Sequence, residues 1–366
     1  MATISLCMIV RDEEQVLARC LDSICGIVDE IILVDTGSVD QTIRIAGRYT
    51  EKIFRFPWID DFSAARNFSL EQATMDFCMW MDADDVLPPE CAEKFRRKKE
   101  ELDHTTDMVM MPYETAFDSQ GRPLFVYERE RILRRGAGFR FLGRVHEAIP
   151  PAGKVVHWKV PIRHKKEKTG NNCRNLRIYQ KMETDGETFD GRSLYYYARE
   201  LQGQGHYEKA EVKFREFLKR TDGWKENKID AARQLAFCCY QMKKEEEALE
   251  ALLKTFVYDV PRGEVCCDIG RHFLDRENYR QAVYWYEQAL KAEKKMETGA
   301  FVQEECYGFL PAISLCICFD RLGDTERAEK YNELAGKFCP DSKYYKANQE
   351  YFQRKRLKQH RTKEAL

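Results

Sequence analysis

The sequence predicts a two-part chain: an α/β domain with a mostly parallel sheet covered by helices on both faces, then an all-α region of repeated helix pairs. Three observations carry that reading. Short apolar runs alternate with helical patterns from residue 1 to about 116, strand-sized runs vanish after about residue 170, and four similar stretches recur in the remainder. Alternating strands and helices favour parallel pairing with crossovers on both faces, where ligands bind beyond the carboxyl ends of the strands.

The predicted strands are TISLCMIV (3–10), EIILVDT (30–36), KIFRFPW (52–58), FCMWMDA (77–83) and MVMMPYE (108–114). Between them, EEQVLARCLDSI, QTIRIAGRY, SAARNFSLEQA and PPECAEKFRRKKEEL show helical spacing. Residues 117–166 read as β-rich and irregular, with a hairpin around DSQGRP. The expected organisation is 1–168 for the α/β domain, 169–195 for a helical linker, 196–350 for the repeats and 351–366 for a basic tail that frays from the last helix.

Sixty basic residues against sixty-one acidic ones leave a net charge of -1 over 366 residues. No global field draws the chain to nucleic acid or to an anionic membrane. No apolar run approaches the roughly 18 residues of a membrane span, and the N-terminus lacks the basic start and cleavage site of a signal peptide. Fourteen cysteines contain no CxxC pair and sit inside apolar patterns such as LAFCCY and SLCICF. Buried free thiols in a reducing cytoplasm are the expectation.

In the second half, GHYEKAEVKFREFLK, KKEEEALEALLKTF, ENYRQAVYWYEQALK and GDTERAEKYNELAG place alanines at Ala210, Ala248, Ala282 and Ala328. The intervals are 38, 34 and 46, the middle one being the tetratricopeptide period, with an insertion near Lys294–Phe309. The region resembles such repeats; a generic helical bundle is the alternative.

The chemistry concentrates at strand ends. MWMDADDVLPPE puts Asp82, Asp84 and Asp85 just after an apolar strand. On an extended chain, Asp82 and Asp84 would share a face about 6.6 Å apart, a spacing at which two carboxylates reach a divalent cation and a ribose hydroxyl. Mn²⁺ or Mg²⁺ suits such oxygen donors and completes its shell with phosphates. The alternative is a solvated turn in which Asp85 caps the following helix. Three further segments converge on the same edge: CMIVRDEE with Val10, Arg11 and Glu13, IILVDTGSVDQT with Asp35, and FSAARNFSLEQA with Arg66 and Asn67.

Together RDEE, VDTGSVDQT, ARN and MDADD, in that order, resemble a family 2 glycosyltransferase with the GT-A nucleotide-sugar fold. The resemblance implies a UDP-sugar donor. It implies that Asp35 accepts from the pyrimidine, that Arg66 lies at the nucleotide near Asp35 or the base, and that Asp82 contacts ribose with Ala83 beside it. Asp84 would bind the metal, and Val10, Arg11 and Glu13 would line the uridine end. Thr36 stands where the family has a second acid, and Arg11 where it has a ring. FRFLGRVHEAIPP and the later IRHKKEKTGNNCRNL resemble the branch of sugar transferases with trailing helical repeats. By that resemblance Glu147 is the general base, His146 orients it or the acceptor, and His164 is a third metal or diphosphate ligand beside Lys165, Lys166 and Lys168. The alternatives are that Glu147 pairs with Arg144 or Arg140, that His164 is an ordinary strand-end histidine, and that His157 packs beside Trp158.

The expected partners are a UDP-sugar donor and a peptide, protein or glycan acceptor, with a homodimer through the helical repeats as a further option. A non-catalytic repeat scaffold with a vestigial nucleotide site is the competing class. A nicotinamide dehydrogenase is excluded because no G-x-G-x-x-G follows the first strand.

Overall fold

Apolar residues at every second position decide how the first strands pack. The computed structural model describes residues 1–117, 121, 123–165, 173–295 and 302–364. Strands β1 (Ile4–Val10), β2 (Glu30–Asp35), β3 (Ile53–Arg55) and β4 (Phe77–Trp80) run parallel in the order β3-β2-β1-β4. Leu6, Met8, Leu33 and Met79 face one core with Cys20 and Leu21 of α1 (Leu17–Ile24). Cys7, Ile32, Val34 and Cys78 face the other, against Phe68 and Leu70 of α3 (Phe62–Glu71). Helices therefore cover both faces, as the alternating pattern requires.

The remaining helices of this half are α2 (Thr42–Ala46), α4 (Ala92–Glu100) and α5 (Arg174–Thr184). The sheet continues through β5 (Asp85–Val86), β6 (Met108–Phe117), β7 (Pro123–Arg134), β8 (Val155–His157) and β9 (Ile162–His164). β7 joins β4 and β6 antiparallel, β6 runs parallel to β8 and β9, and β5 pairs antiparallel with β9. The β6–β7 hairpin closes with Phe117 opposite Pro123, as DSQGRP predicts, although residues 118–120 and 122 lie outside the described set. The third predicted strand shortens to three residues. The fourth ends at Trp80 rather than 83, because the Asp85 N–H turns back to the Asp82 carbonyl at 3.0 Å.

At the opposite end of β2, buried Glu30 accepts from Ser5 Oγ, Lys52 Nζ, Thr74 N at 2.9 Å and Thr74 Oγ1 at 2.7 Å. Burial alone would raise its pKa, but these donors bring it down from 4.5 to about 2. A depressed carboxylate stabilises fully above about pH 4.5, and that contribution disappears as pH falls towards 2. Glu30→Gln is therefore expected to cost about 3 kcal/mol at neutral pH. The difference from wild type should shrink in urea melts taken at descending pH.

The chain divides into two compact units, Met1–Thr188 and Phe189–Leu366. The second unit holds four helix pairs: α6 (Gly191–Gly203) with α7 (Tyr207–Lys219), α8 (Lys225–Gln241) with α9 (Glu245–Leu253), α10 (Gly263–Leu274) with α11 (Tyr279–Lys291), and α12 (Phe309–Arg321) with α13 (Thr325–Phe338). A final helix, α14 (Lys343–Glu364), seats Phe352 in the last core. Ala210, Ala248, Ala282 and Ala328 are fully buried. Within the predicted insertion, Gln303 N and Tyr307 Oη donate to Glu264 of α10 at 2.8 and 2.7 Å.

Every pair turns in the same way. Gly205, Lys243, Glu277 and Gly323 adopt left-handed backbone at φ 77°, 60°, 59° and 82°, each five residues before its alanine. The next residue's N–H reaches back to Leu201, Cys239, Phe273 or Phe319 O at 2.9 Å, closing a Schellman-type end. Two of the four turns carry a side chain where glycine is unstrained. Lys243→Gly and Glu277→Gly are each expected to stabilise the unit by about 0.5–1 kcal/mol after the gain in unfolded-state entropy. Thermal melts followed by circular dichroism would register this as a higher midpoint.

Candidate active site

The strand ends place the first set of side chains. Val10 lies opposite Asp35, and Cys7 lies opposite Trp80. Asp35 therefore ends β2 and the 82–85 turn follows β4, both at the carboxyl edge of strands that flank β1. Asp35 is buried and accepts from Ser38 N at 2.9 Å. Thr36, at the position of the expected second acid, donates through Oγ1 and N to Val10 O at 3.2 and 3.0 Å. Arg11 is exposed, with Nε 3.9 Å from Asp12 Oδ2. Glu13 donates its N–H to Thr42 Oγ1 at 2.7 Å, and its carbonyl accepts the Leu17 N–H that opens α1.

Asp82 and Asp84 do not stand on an extended strand as the spacing predicts; they flank a turn. Asp85 is not a solvated helix cap. It starts β5, is fully buried, and ion-pairs with equally buried Arg131 at 3.0 Å. Two unlike charges taken from water together are tolerated, whereas a lone buried carboxylate is not. Arg131 Nη1 also donates to Trp80 O at 3.2 Å, and its guanidinium lies 3.9 Å over Trp80 and 4.3 Å over Tyr113.

Arg66 is the second organising cation. Its Nη2 meets Asp82 Oδ1 and its Nε meets Glu147 Oε1, both at 2.6 Å. This places Arg66 between Asp82 and the base candidate Glu147. Arg144 and Arg140, the alternative partners for Glu147, bind Glu187 and Glu71 instead. The next residue, Asn67, clamps Phe141 in both directions, accepting from its N–H at 2.8 Å and donating to its carbonyl at 3.0 Å. Two adjacent residues of α3 thus fix both ends of the loop that carries Glu147. In that loop His146 is half-buried with left-handed backbone at φ 53°, a strained conformation of a kind that concentrates at functional sites.

Burial would raise the Asp82 carboxyl, but Arg66 and Arg131 hold it down at about 2. At the far side of the turn, His164 Nδ1 lies 3.4 Å from Asp84 Oδ1 and 3.3 Å from Asp85 Oδ1. Burial would lower the imidazole, yet those two carboxylates raise it to about 10. Asp84, Asp85 and His164 bring ligand atoms within 4.8 Å of one another. Carboxylate oxygen with imidazole nitrogen suits Mn²⁺ or Mg²⁺. Lys165 N donates to Asp84 O at 2.9 Å, while Lys166 and Lys168 lie outside the described residues. His157 does not pack beside Trp158: it is exposed and meets Glu128 at 2.7 Å.

Arg129 and Arg131, with Tyr113, were not legible as site residues. Within YERERILRR both guanidiniums stack on Trp80. Their signal was an alternating charge pattern in a strand long enough to lie inside a sheet.

Residues 5–151 match the family model described as Glycosyl transferase family 2. A TPR repeat-containing protein of Synechococcus elongatus is 35% identical over 175 residues, covering 45% of this chain and 42% of that protein. The SPbeta prophage-derived glycosyltransferase SunS of Bacillus subtilis is 29% identical over 40% of this chain and 34% of its own length. The lipopolysaccharide core biosynthesis glycosyltransferase LpsC of Rhizobium meliloti is 30% identical over 42% of this chain and 58% of its own. Each match thus spans less than two thirds of the relative. Among the described residues no helix is long and apolar enough to cross a membrane. Residues 5–151 of the N-terminal unit are thus similar to glycosyl transferase family 2, and helix pairs that resemble tetratricopeptide repeats follow in the sequence.

Proposed function

We propose that the chain transfers a hexose, with inversion, from a UDP-sugar to a peptide or protein side chain held by the helical unit. One observation carries the reading: a single sheet edge gathers Asp35, Asp82, Asp84, Arg66, Glu147 and His164. Asp35, fixed by the Ser38 N–H, accepts from the pyrimidine, with Val10, Arg11 and Glu13 at the uridine end. Asp82 and Ala83 face the ribose. Asp84 and His164 hold Mn²⁺ or Mg²⁺, whose charge, when bound, offsets the negative charge of the diphosphate leaving group. Glu147 takes the acceptor proton and His146 orients the acceptor. Arg66 holds Glu147 through Oε1 alone, leaving Oε2 for the acceptor.

The helical unit supports a polypeptide acceptor. Arg199, Phe237, Arg271 and Ile317 occupy one register, each six residues before the left-handed turn of its pair. Phe237, Arg271 and Ile317 are exposed. Arg199 and Arg271 pair with Asp230 and Asp275, so the exposed Phe237 and Ile317 are the positions that suit apolar anchors of an extended peptide. Fourteen free thiols, most of them buried, fit a reducing, cytoplasmic setting. The lipopolysaccharide core assignment of LpsC favours one second reading, a cell-surface glycan acceptor, in which the helix pairs serve for self-association.

Incubation with Mn²⁺ and a panel of nucleotide sugars tests the donor: a UDP-sugar should release UDP, and no release from any of them contradicts the reading. Repeating it with labelled sugar and cell fractions tests the acceptor. Label in protein supports the first reading, and label only in glycolipid supports the second. Glu147→Gln is expected to lower turnover about 10²–10⁴-fold with donor affinity retained. Loss of donor affinity instead would remove Glu147 from the role of base.

A further inference from the structure

We propose that Asp85 is a positioning residue that fixes the orientation of His164, with Tyr113 and Arg131 holding Asp85 in turn. The inference rests on the strand-end reading above and deepens it.

Asp85 receives three donors and faces His164. Arg131 Nη1 and Asp82 N reach Oδ2 at 3.0 and 3.1 Å, Tyr113 Oη reaches Oδ1 at 2.7 Å, and His164 Nδ1 lies 3.3 Å from Oδ1. Three of the roughly four lone-pair sites of this carboxylate are thus taken by protein donors. Its neighbour Asp84, half-buried and in contact with His164, is the less committed acid of the cluster.

Counting hydrogens then orients the imidazole. The Tyr113 hydroxyl has one hydrogen, and Asp85, acceptor only, takes it. Towards His164 Nδ1, 2.9 Å away, the phenol oxygen can therefore only accept. The other neighbours of Nδ1, the carboxylates of Asp84 and Asp85, are acceptors as well. Nδ1 must carry its hydrogen, and Nε2 is the nitrogen left for a ligand. A metal-binding histidine with its second ring nitrogen donated to a carboxylate gains a fixed ring plane and a stronger ligand atom.

Arg131 explains why Asp85 stays in place. It is fully buried between the faces of Trp80 and Tyr113. Among the described residues its Nε and Nη2 have no hydrogen-bond partner, so the two ring faces and Asp85 together balance its charge. One cation thus anchors the acid, the phenol ring and the end of β4.

Tyr113→Phe tests this with the least disturbance, because the ring and its stacking survive and only the hydroxyl is lost. Mn²⁺ affinity in the presence of UDP, read from the paramagnetic resonance of free Mn²⁺, should weaken about tenfold or more. UDP affinity without metal and the unfolding midpoint should stay near wild type. His164→Ala serves as the comparison. If Tyr113→Phe keeps wild-type Mn²⁺ affinity while His164→Ala loses it, the positioning role is overturned and the donor reading stands. If wild type binds no Mn²⁺ with UDP present, both fall. A second readout needs no variant: nitrogen-15 spectra of labelled histidine with Mg²⁺ and UDP bound should place the His164 hydrogen on Nδ1. A hydrogen on Nε2 would overturn the inference.

Discussion

Asp84→Asn is expected to reduce sugar transfer about 10³-fold, the several kcal/mol that a cation contributes when it offsets charge on a leaving diphosphate. The reason lies in how the neighbouring acids are committed. Asp82 and Glu147 share Arg66, and Asp85 is bound to Arg131. Among the described residues the Asp84 carboxylate meets only His164, and it is half-buried. Removing its charge should therefore leave the fold nearly untouched while the metal-dependent part of donor binding disappears. UDP release assayed across a Mn²⁺ series, beside a thermal melt, separates the two. Wild-type turnover in the variant would take Asp84 out of the metal site.

Arg66→Met is expected to destabilise the N-terminal unit by about 3–5 kcal/mol, the range for breaking a buried ion pair from one side. Arg66 is buried, lies over Trp80 at 4.9 Å and Phe141 at 5.4 Å, and is the shared partner of two acids. Without it Asp82 and Glu147 would face each other's charge in a partly dry site. Urea unfolding followed by tryptophan fluorescence measures the loss. Double replacement with Asp82→Asn should recover part of it, since one of the orphaned charges is gone. A change below about 1 kcal/mol would mean that the pair contributes no more than an exposed one.

These two residues also show where sequence reading succeeds and where it stops. The parallel strands were legible because apolar alternation is a local property, and the acids after them were legible because strand ends line an α/β crevice. The helix pairs were legible from their repeated alanines, since the same small residue is buried at the same place in each pair. The left-handed turns at Lys243 and Glu277 were hidden, because the residues there are not glycine and the strain is absorbed by the Schellman bonds.

Long-range pairing was the harder part. Asp85 followed by a proline pair looks like a cap and a helix start. Its partner Arg131 lies 46 residues away, on a strand whose charges suggest solvent. Glu147 finds Arg66 across 81 residues rather than a nearby arginine. No local pattern separates a buried cation from an exposed one when both alternate with glutamates. Only the antiparallel register that sets β7 against β4 brings Arg129 and Arg131 onto Trp80.

A crystal structure of the chain with UDP and Mn²⁺ tests the central claim most directly. The account predicts uracil at Asp35, ribose at Asp82, and the ion touching Asp84, His164 Nε2 and the diphosphate. UDP bound elsewhere, or an ion that leaves Asp84 and His164 untouched, would contradict it.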